Sequence, residues 1–211
     1  NHVGSYRRTF TVPASWKGDK SYIHFGSVTS NITLYVNGKY VGYSEDSKVA
    51  CEFDITKFVT PGQENLIAMQ VMRWCDGSWN EDQDFWRLCG IARECYMYAR
   101  PQAHIEDVFI TPDLENNYRD GKLSIKLTAP DAVGKTFKGK LLDADGKDVS
   151  PAQIGALTIH KDGKGEAVVQ IPNPQKWTAE TPYLYNLCIS LYDGDKLLEC
   201  IQQRVGFRKV E

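Results

Sequence analysis

Apolar and polar positions alternate with a period of two along most of this chain, which is the period of a strand with one face buried and one face wet. Ser5–Val12 alternates and runs into Pro13, as a strand entering a turn does. Ser21–Gly26, Ser30–Val36, Tyr40–Tyr43, Cys51–Ile55, Asn65–Met72 and Ala92–Tyr98 follow as further predicted strands. Asn37-Gly38 sits between two of them, and both residues tolerate the positive φ that a type I′ hairpin turn requires. Thr60-Pro61-Gly62 marks another turn. No convincing helical stretch interrupts the series.

The texture changes at Arg100-Pro101-Gln102, the predicted domain boundary. Beyond it the alternation is more regular, over Ile105–Ile110, Lys122–Leu127, Phe137–Leu142, Glu166–Ile171, Tyr185–Leu191 and Glu199–Val205. Tight-turn pairs separate these runs at Asp145-Gly146, Asp162-Gly163 and Asp193-Gly194. The pattern therefore predicts an all-β chain. Residues 1–100 form a β-sandwich of jelly-roll type, and residues 101–211 form an immunoglobulin-like sandwich without the disulfide spacing of immunoglobulins. The chain opens and closes within strand-like texture, as a piece of a longer protein would.

One stretch breaks the alternation. Trp74–Arg93 crowds Trp74, Trp79, Trp86 and Phe85 together with Asp76, Glu81, Asp82 and Asp84. It is too polar for a core strand and too aromatic for an ordinary solvated loop. Aromatic faces beside carboxylates suit sugars, whose C–H faces stack on rings while their hydroxyls donate to carboxylates. A plainer reading makes it a long loop whose tryptophans plug the end of a sandwich while its acids face water. Asp76-Gly77 reads as a turn pair, and Arg87 and Arg93 read as partners of the loop's own acids.

Composition narrows the classes. A net charge of −2 with scattered Lys and Arg gives no electrostatic case for nucleic acid or an anionic membrane surface. No apolar run approaches membrane-spanning length. Six cysteines show neither CxxC nor metal-ligand spacing, and they read as mostly buried free thiols. His2, His24, His104 and His160 are too dispersed to nominate a metal site, and no Ser/His/Asp constellation or Gly-rich phosphate loop is recognisable. Glu81, Asp82 and Asp84 are too close together to suggest a glycosidase carboxylate pair. They suit hydroxyls or a hard cation, with Asp82 or Asp84 as oxygen ligand to sodium, calcium or magnesium.

The residues of Trp74–Ile91, WCDGSWNEDQDFWRLCGI, closely resemble the R-W-S-D-G-S-x-x-E-D-Q-D-x-W-R-x-S-G-I signature of bacterial β-galactosidases of glycoside hydrolase family 2. Gly4–Phe10, Val36–Tyr43, Asp46-Ser47, Glu52–Asp54 and Pro61–Asn65 are similar to that family in the same order. So are Asn173–Tyr185 (NPQKWTAETPYLY) and Val205–Arg208 (VGFR) in the second half. The resemblance implies a jelly-roll sugar-binding domain followed by an immunoglobulin-like sandwich. In the family these precede a TIM barrel that carries two catalytic glutamates for retaining hydrolysis. That barrel is not among these residues, so the resemblance implies no catalytic residue here.

By the same resemblance, Asp84 is the residue that reaches the active site, contacting galactose hydroxyls and a sodium ion. Magnesium is a second ion implied for the full-length protein. A family asparagine that contacts the sugar falls at Thr29, which keeps a hydroxyl but loses the amide's reach. Trp79 and Trp86 complete the candidate sugar-contacting set. The implied partners are a glycoside substrate, the missing barrel and further copies of the chain, in the cytoplasm or periplasm of a bacterium. Two alternatives stay open at this point: a free-standing carbohydrate-binding module using Trp79 and Trp86, and a purely structural pair of sandwiches.

Overall fold

The period-two pattern becomes strand nearly everywhere it occurs. In the computed structural model the chain divides into two compact units, Asn1–Arg100 and Pro101–Glu211. Residues 2–81, 86, 88–151, 154 and 159–211 are described.

The first unit contains β1 (Val3–Thr11), β2 (Lys20–Phe25), β3 (Val28–Thr29), β4 (Asn31–Val36), β5 (Lys39–Glu45), β6 (Cys51–Asp54), β7 (Glu64–Met72), β8 (Gly90–Ile91) and β9 (Cys95–Arg100). One sheet has the order β1-β7-β4-β5, a second has β6-β2-β9, and β3 pairs with β8 in a short ribbon. All the pairings are antiparallel. Alternate residues of the two larger sheets meet in one core. Ile32, Leu34 and Val36 of β4 are fully buried, and they share a cluster with Ile23 and Phe25 of β2 and with Ile67 and Val71 of β7. Each such side chain stabilises the fold by about 1.5–3 kcal/mol relative to leaving it in water. The β4–β5 hairpin turns through Asn37 (φ 51°) and Gly38 (φ 76°), the two positive angles of a type I′ turn.

The second unit contains β10 (Asp107–Glu115), β11 (Asp120–Thr128), β12 (Thr136–Leu142), β13 (Lys164–Ile171), β14 (Tyr185–Asp193) and β15 (Lys196–Val205), in sheets β10-β11-β13 and β12-β14-β15. The alternation is clean. Leu123, Ile125 and Leu127 of β11 face Leu187, Ile189 and Leu191 of β14 within one buried cluster. This is the jelly-roll plus immunoglobulin-like, all-β architecture.

Three features differ from the sequence pattern. β10 continues past Ile110 through Pro112 to Glu115. Proline is tolerated there because β10 is an edge strand, where a missing N–H need not break the ladder. The β14–β15 hairpin closes at Asp193↔Lys196, so its turn residues are Gly194 and Asp195 rather than Asp193-Gly194. Only Gly194, with φ 59°, needs the left-handed region. The cysteines are all free, but none is buried: Cys51, Cys75 and Cys188 are half-buried, and Cys89, Cys95 and Cys200 are exposed. Cys95 and Cys200 lie on edge strands β9 and β15, where one flank has no neighbouring strand to cover it.

Candidate functional site

The segment that carries the loop's chemistry begins where β7 ends. Cys75 N–H donates to Ser78 Oγ at 3.0 Å, and one helical turn, α1 (Gly77–Asn80), follows. The sequence pattern did not foresee this turn, since four residues are too few to show a period. Gly77 N–H donates to Glu45 Oε2 at 3.1 Å, and a Cβ on Gly77 would lie 2.9 Å from that oxygen. Tyr43 donates its hydroxyl to the other oxygen of Glu45. That bond holds the Glu45 carboxyl below its ordinary pKa against a smaller desolvation effect, with Gly77 N–H adding to the lowering. Burial, and then the neighbouring Glu45, push the Tyr43 hydroxyl well up.

After α1 comes Glu81. Its Oε1 accepts the backbone N–H of Ser47 at 2.8 Å, and its Oε2 accepts the Ser47 hydroxyl. Ser47 is 3% exposed. Its carbonyl accepts the Ser27 hydroxyl at 2.6 Å and, at a long 3.5 Å, the Thr29 hydroxyl. Both oxygens of Glu81 are therefore engaged within the protein. Glu81 thus has an internal anchoring role.

The far end of the loop returns to the same place. Gly90 and Ile91 pair with Thr29 and Val28. Arg93 donates to the carbonyls of Lys48 (3.0 Å) and Gly26 (3.4 Å). Residues 82–89 are thus bounded by two anchors that converge on the segment holding Thr29. Residues 25–32 are all buried except Thr29, which is half-buried. Ser30 donates N–H and hydroxyl to Met72 O, and Asn31 accepts from Met72 N–H, so Thr29 is held from both sides.

The remaining candidates fall as follows. Asp84 and Asp82, with Phe85 and Arg87, lie outside the described residues. Trp79 and Trp86 are each 85% exposed and Trp74 is 40% exposed, so Trp79 and Trp86 do not plug the sandwich. Their faces are open to a ligand or a partner. No group of three or more His, Cys, Asp or Glu able to hold a metal occurs among the described residues. No helix among the described residues is long and apolar enough to cross a membrane.

Sequence reasoning did not single out the histidine contacts. His24 Nδ1 lies 2.7 Å from Glu52 Oε1, and its ring stacks on Tyr96 with centroids 4.5 Å apart. His104 is 2% exposed, with Nδ1 2.9 Å from Pro101 O and Nε2 2.9 Å from Glu106 Oε2. Both are structural. Asn173–Tyr185 and Val205–Arg208 pack on each other: Trp177 N–H donates to Phe207 O at 2.9 Å, and the Arg208 guanidinium sits 4.7 Å over the Trp177 ring.

Comparison with known proteins agrees with these landmarks. A family model described as "Glycosyl hydrolases family 2, sugar binding domain" matches residues 1–101, and one described as "Glycosyl hydrolases family 2" matches residues 103–208. The chain belongs to glycosyl hydrolase family 2. Among its relatives in the family, β-galactosidases of Priestia megaterium, Aeromonas hydrophila and Vibrio vulnificus strain YJ016 are 42%, 40% and 43% identical to it. Each alignment covers all of this chain but only 21% of the relative. The chain thus spans about a fifth of the length of the relatives it matches. A family 2 structure from Bacteroides cellulosilyticus superposes with a TM-score of 0.83 over 99% of this chain and 29% of that one, at 24% identity. A β-glucuronidase from Ruminococcus gnavus gives 0.82 over 99% of this chain and 36% of that one, at 23% identity. At these identities the two structures attest the fold alone.

Proposed function

We propose that this chain is a non-catalytic part of a retaining β-galactosidase, lying ahead of a TIM barrel and contributing one wall of its sugar site. The observation that carries the reading is the 42% identity to a β-galactosidase over the whole chain, which includes the Trp74–Ile91 signature. The geometry supports it: Thr29 is the one partly exposed residue of a buried turn, and both ends of the 82–89 loop are tied to that turn. Asp84 is the proposed contact to galactose hydroxyls, and Thr29 is a second. Thr29 offers a hydroxyl, which can both donate to and accept from a sugar. The catalytic glutamates belong to the barrel, so these 211 residues alone hydrolyse nothing. Sodium dependence through Asp84, a magnesium requirement and self-assembly of the full-length protein are parts of the same proposal.

The test is a nitrophenyl-β-galactoside assay on the full-length protein, wild type beside Asp84→Ala, with sodium and with potassium in its place. Activity in the wild type and collapse in the variant is the expected result. Equal activity in both would remove the sugar-contacting role, and a wild type that cleaves only other glycosides would move attention to Thr29.

A second reading is favoured by the two tryptophans at 85% exposure, whose open faces suit sugar stacking in a free-standing binding module. Calorimetric titration of the 211-residue chain with galactose and galactosides separates the two, because only the module binds without the barrel.

A further inference from the structure

We propose that the open flank of the first sandwich, between edge strands β1 and β9, is a docking cleft for an extended segment of the full-length polypeptide that lies outside these 211 residues. The two flanks of this sandwich differ. On one, β5 and β6 close the gap: a Cβ added to Gly42 of β5 would lie 2.8 Å from the Phe53 ring of β6. On the other, a cleft of about 590 Å³ opens between β1 and β9. Its walls are the inner faces of both sheets, Phe10, Ile67 and Met69 from one and Ile23, Phe25 and Met97 from the other. Ile23, Phe25 and Ile67 belong to the hydrophobic core, so the cleft is the core reaching the surface. Tyr6 and Tyr96, 42% and 47% exposed, stand at its mouth with the exposed Cys95.

The border of the cleft selects an extended chain. Among the described residues no strand pairs with the outer side of β1 or of β9, and such edges are templates for a further strand. An added strand pairs its backbone with an edge while alternate side chains enter the apolar cleft, whereas a compact apolar molecule would use the cleft alone. Two observations favour the protein's own polypeptide over a second copy. A two-fold antiparallel pairing along all of β1 (Val3–Thr11) would set the two copies' Arg7 side chains opposite each other, and like charges directly opposite destabilise a sheet. The chain also spans only 21% of the Priestia megaterium relative, so a protein of that length has ample chain to supply one strand. A covalently joined segment reaches the cleft at far higher effective concentration than a separate molecule does. Arg8 adds a chemical requirement. It lies opposite Ile67 in the β1–β7 ladder, on the same inward face as Tyr6 and Phe10, and no Asp or Glu lines the cleft. The segment that fits carries apolar residues at alternate positions and a carboxylate for Arg8.

The full-length protein tests this in two ways. A photoreactive benzoylphenylalanine replacing Tyr6 at the mouth of the cleft is irradiated, and the cross-linked peptides are identified by mass spectrometry. The expected product joins residue 6 to a peptide outside the 211 residues within one molecule. In the unsubstituted protein, maleimide labelling of Cys95 is followed by peptide mass. Cys95 is expected to react at least about tenfold more slowly in the native protein than in urea, because the docked segment must leave first. Arg8→Glu, which sets like charges against each other, is expected to speed that labelling about threefold or more, while Arg8→Lys stays near wild type. Cross-links that join two molecules, with a yield that rises with protein concentration, would assign the cleft to self-association and overturn the proposal. Cross-links confined to the 211 residues, or a Cys95 that reacts as fast in the native protein as in urea, would leave the cleft empty and overturn it as well. Labelling no faster in Arg8→Glu than in Arg8→Lys would overturn the carboxylate assigned to the segment.

Discussion

Asn65 Oδ1 accepts the Nδ2–H of Asn37 at 2.8 Å, which ties the first turn of the β4–β5 hairpin to the start of β7. The same oxygen accepts Thr60 N–H, and Asn65 Nδ2 donates to the carbonyls of Thr60 and Gln63. All four bonding positions of an amide that is 2% exposed are used. Asn37 in turn donates to Phe58 O and accepts from Leu66 N–H. Replacing Asn65 with alanine removes all four of these bonds at once and empties a buried site. Asn65→Ala is expected to cost about 2–4 kcal/mol of stability, read as a lower urea midpoint with the slope unchanged.

Gly121 in β11 faces the ring of Phe207, and an added Cβ would lie 2.8 Å from Phe207 Cδ1. Phe207 is fully buried and packs edge-on to Tyr185 with centroids 5.6 Å apart, so the ring has little room to yield. Gly121→Ala is expected to cost about 1–3 kcal/mol, against the small gain that glycine-to-alanine brings in an open strand. Thermal unfolding of the 211-residue chain reads this directly.

Asp120 accepts from Arg119, from the Asn116 side chain and from Asn173 N–H, and these bonds hold its carboxyl well below the usual carboxylate range. A depressed folded-state pKa adds stability that is complete above the unfolded value, about 3.9 for aspartate, and is lost as pH falls through the folded value. Asp120→Asn is therefore expected to be less stable than wild type at pH 7. The gap holds steady down to about pH 5 and narrows as pH falls below about 4. Urea midpoints of both proteins across that range check the sign, and a gap that widens in acid would refute it.

Trp79 and Trp86 stand in water, so alanine at either position is expected to shift stability by no more than about 0.5 kcal/mol. Acrylamide quenching of the 211-residue chain should fall by a clear step with each removal. A loss of several kcal/mol on unfolding would restore the sandwich-plug reading.

Thr29→Asn returns an amide to the position that the family resemblance assigns to a sugar contact. In the full-length protein it is expected to lower KM for nitrophenyl-β-galactoside about threefold to tenfold, as one added hydrogen bond would. An unchanged KM would show that Thr29 does not face the sugar.

Most of the strand content was legible from alternation alone, because burying one face of a strand forces a period of two that depends on no distant residue. Ile32, Leu34 and Val36, with Asn37-Gly38 after them, announce a buried strand and its hairpin before any partner is known. The Trp74–Ile91 signature announces the family in the same way, through residue types in order. What the sequence pattern missed depended on neighbours. Whether Pro112 can sit in a strand depends on β10 lying at an edge, and whether Cys95 and Cys200 are covered depends on what flanks β9 and β15.

The site divides along the same line. From the sequence, Glu81 is one acid among four in a loop, and nothing local separates an anchor from a ligand. Ser47 lies 34 positions away, and only the folded chain brings its two donors to the two oxygens of Glu81. A carboxylate's role is set by which donors reach it in three dimensions, and sequence order does not carry that distance. The chain by itself determined its strands, its two units and its family. The tertiary structure decided that Glu81 is spent on Ser47, that Thr29 alone emerges from a buried turn, and that both ends of the loop meet there.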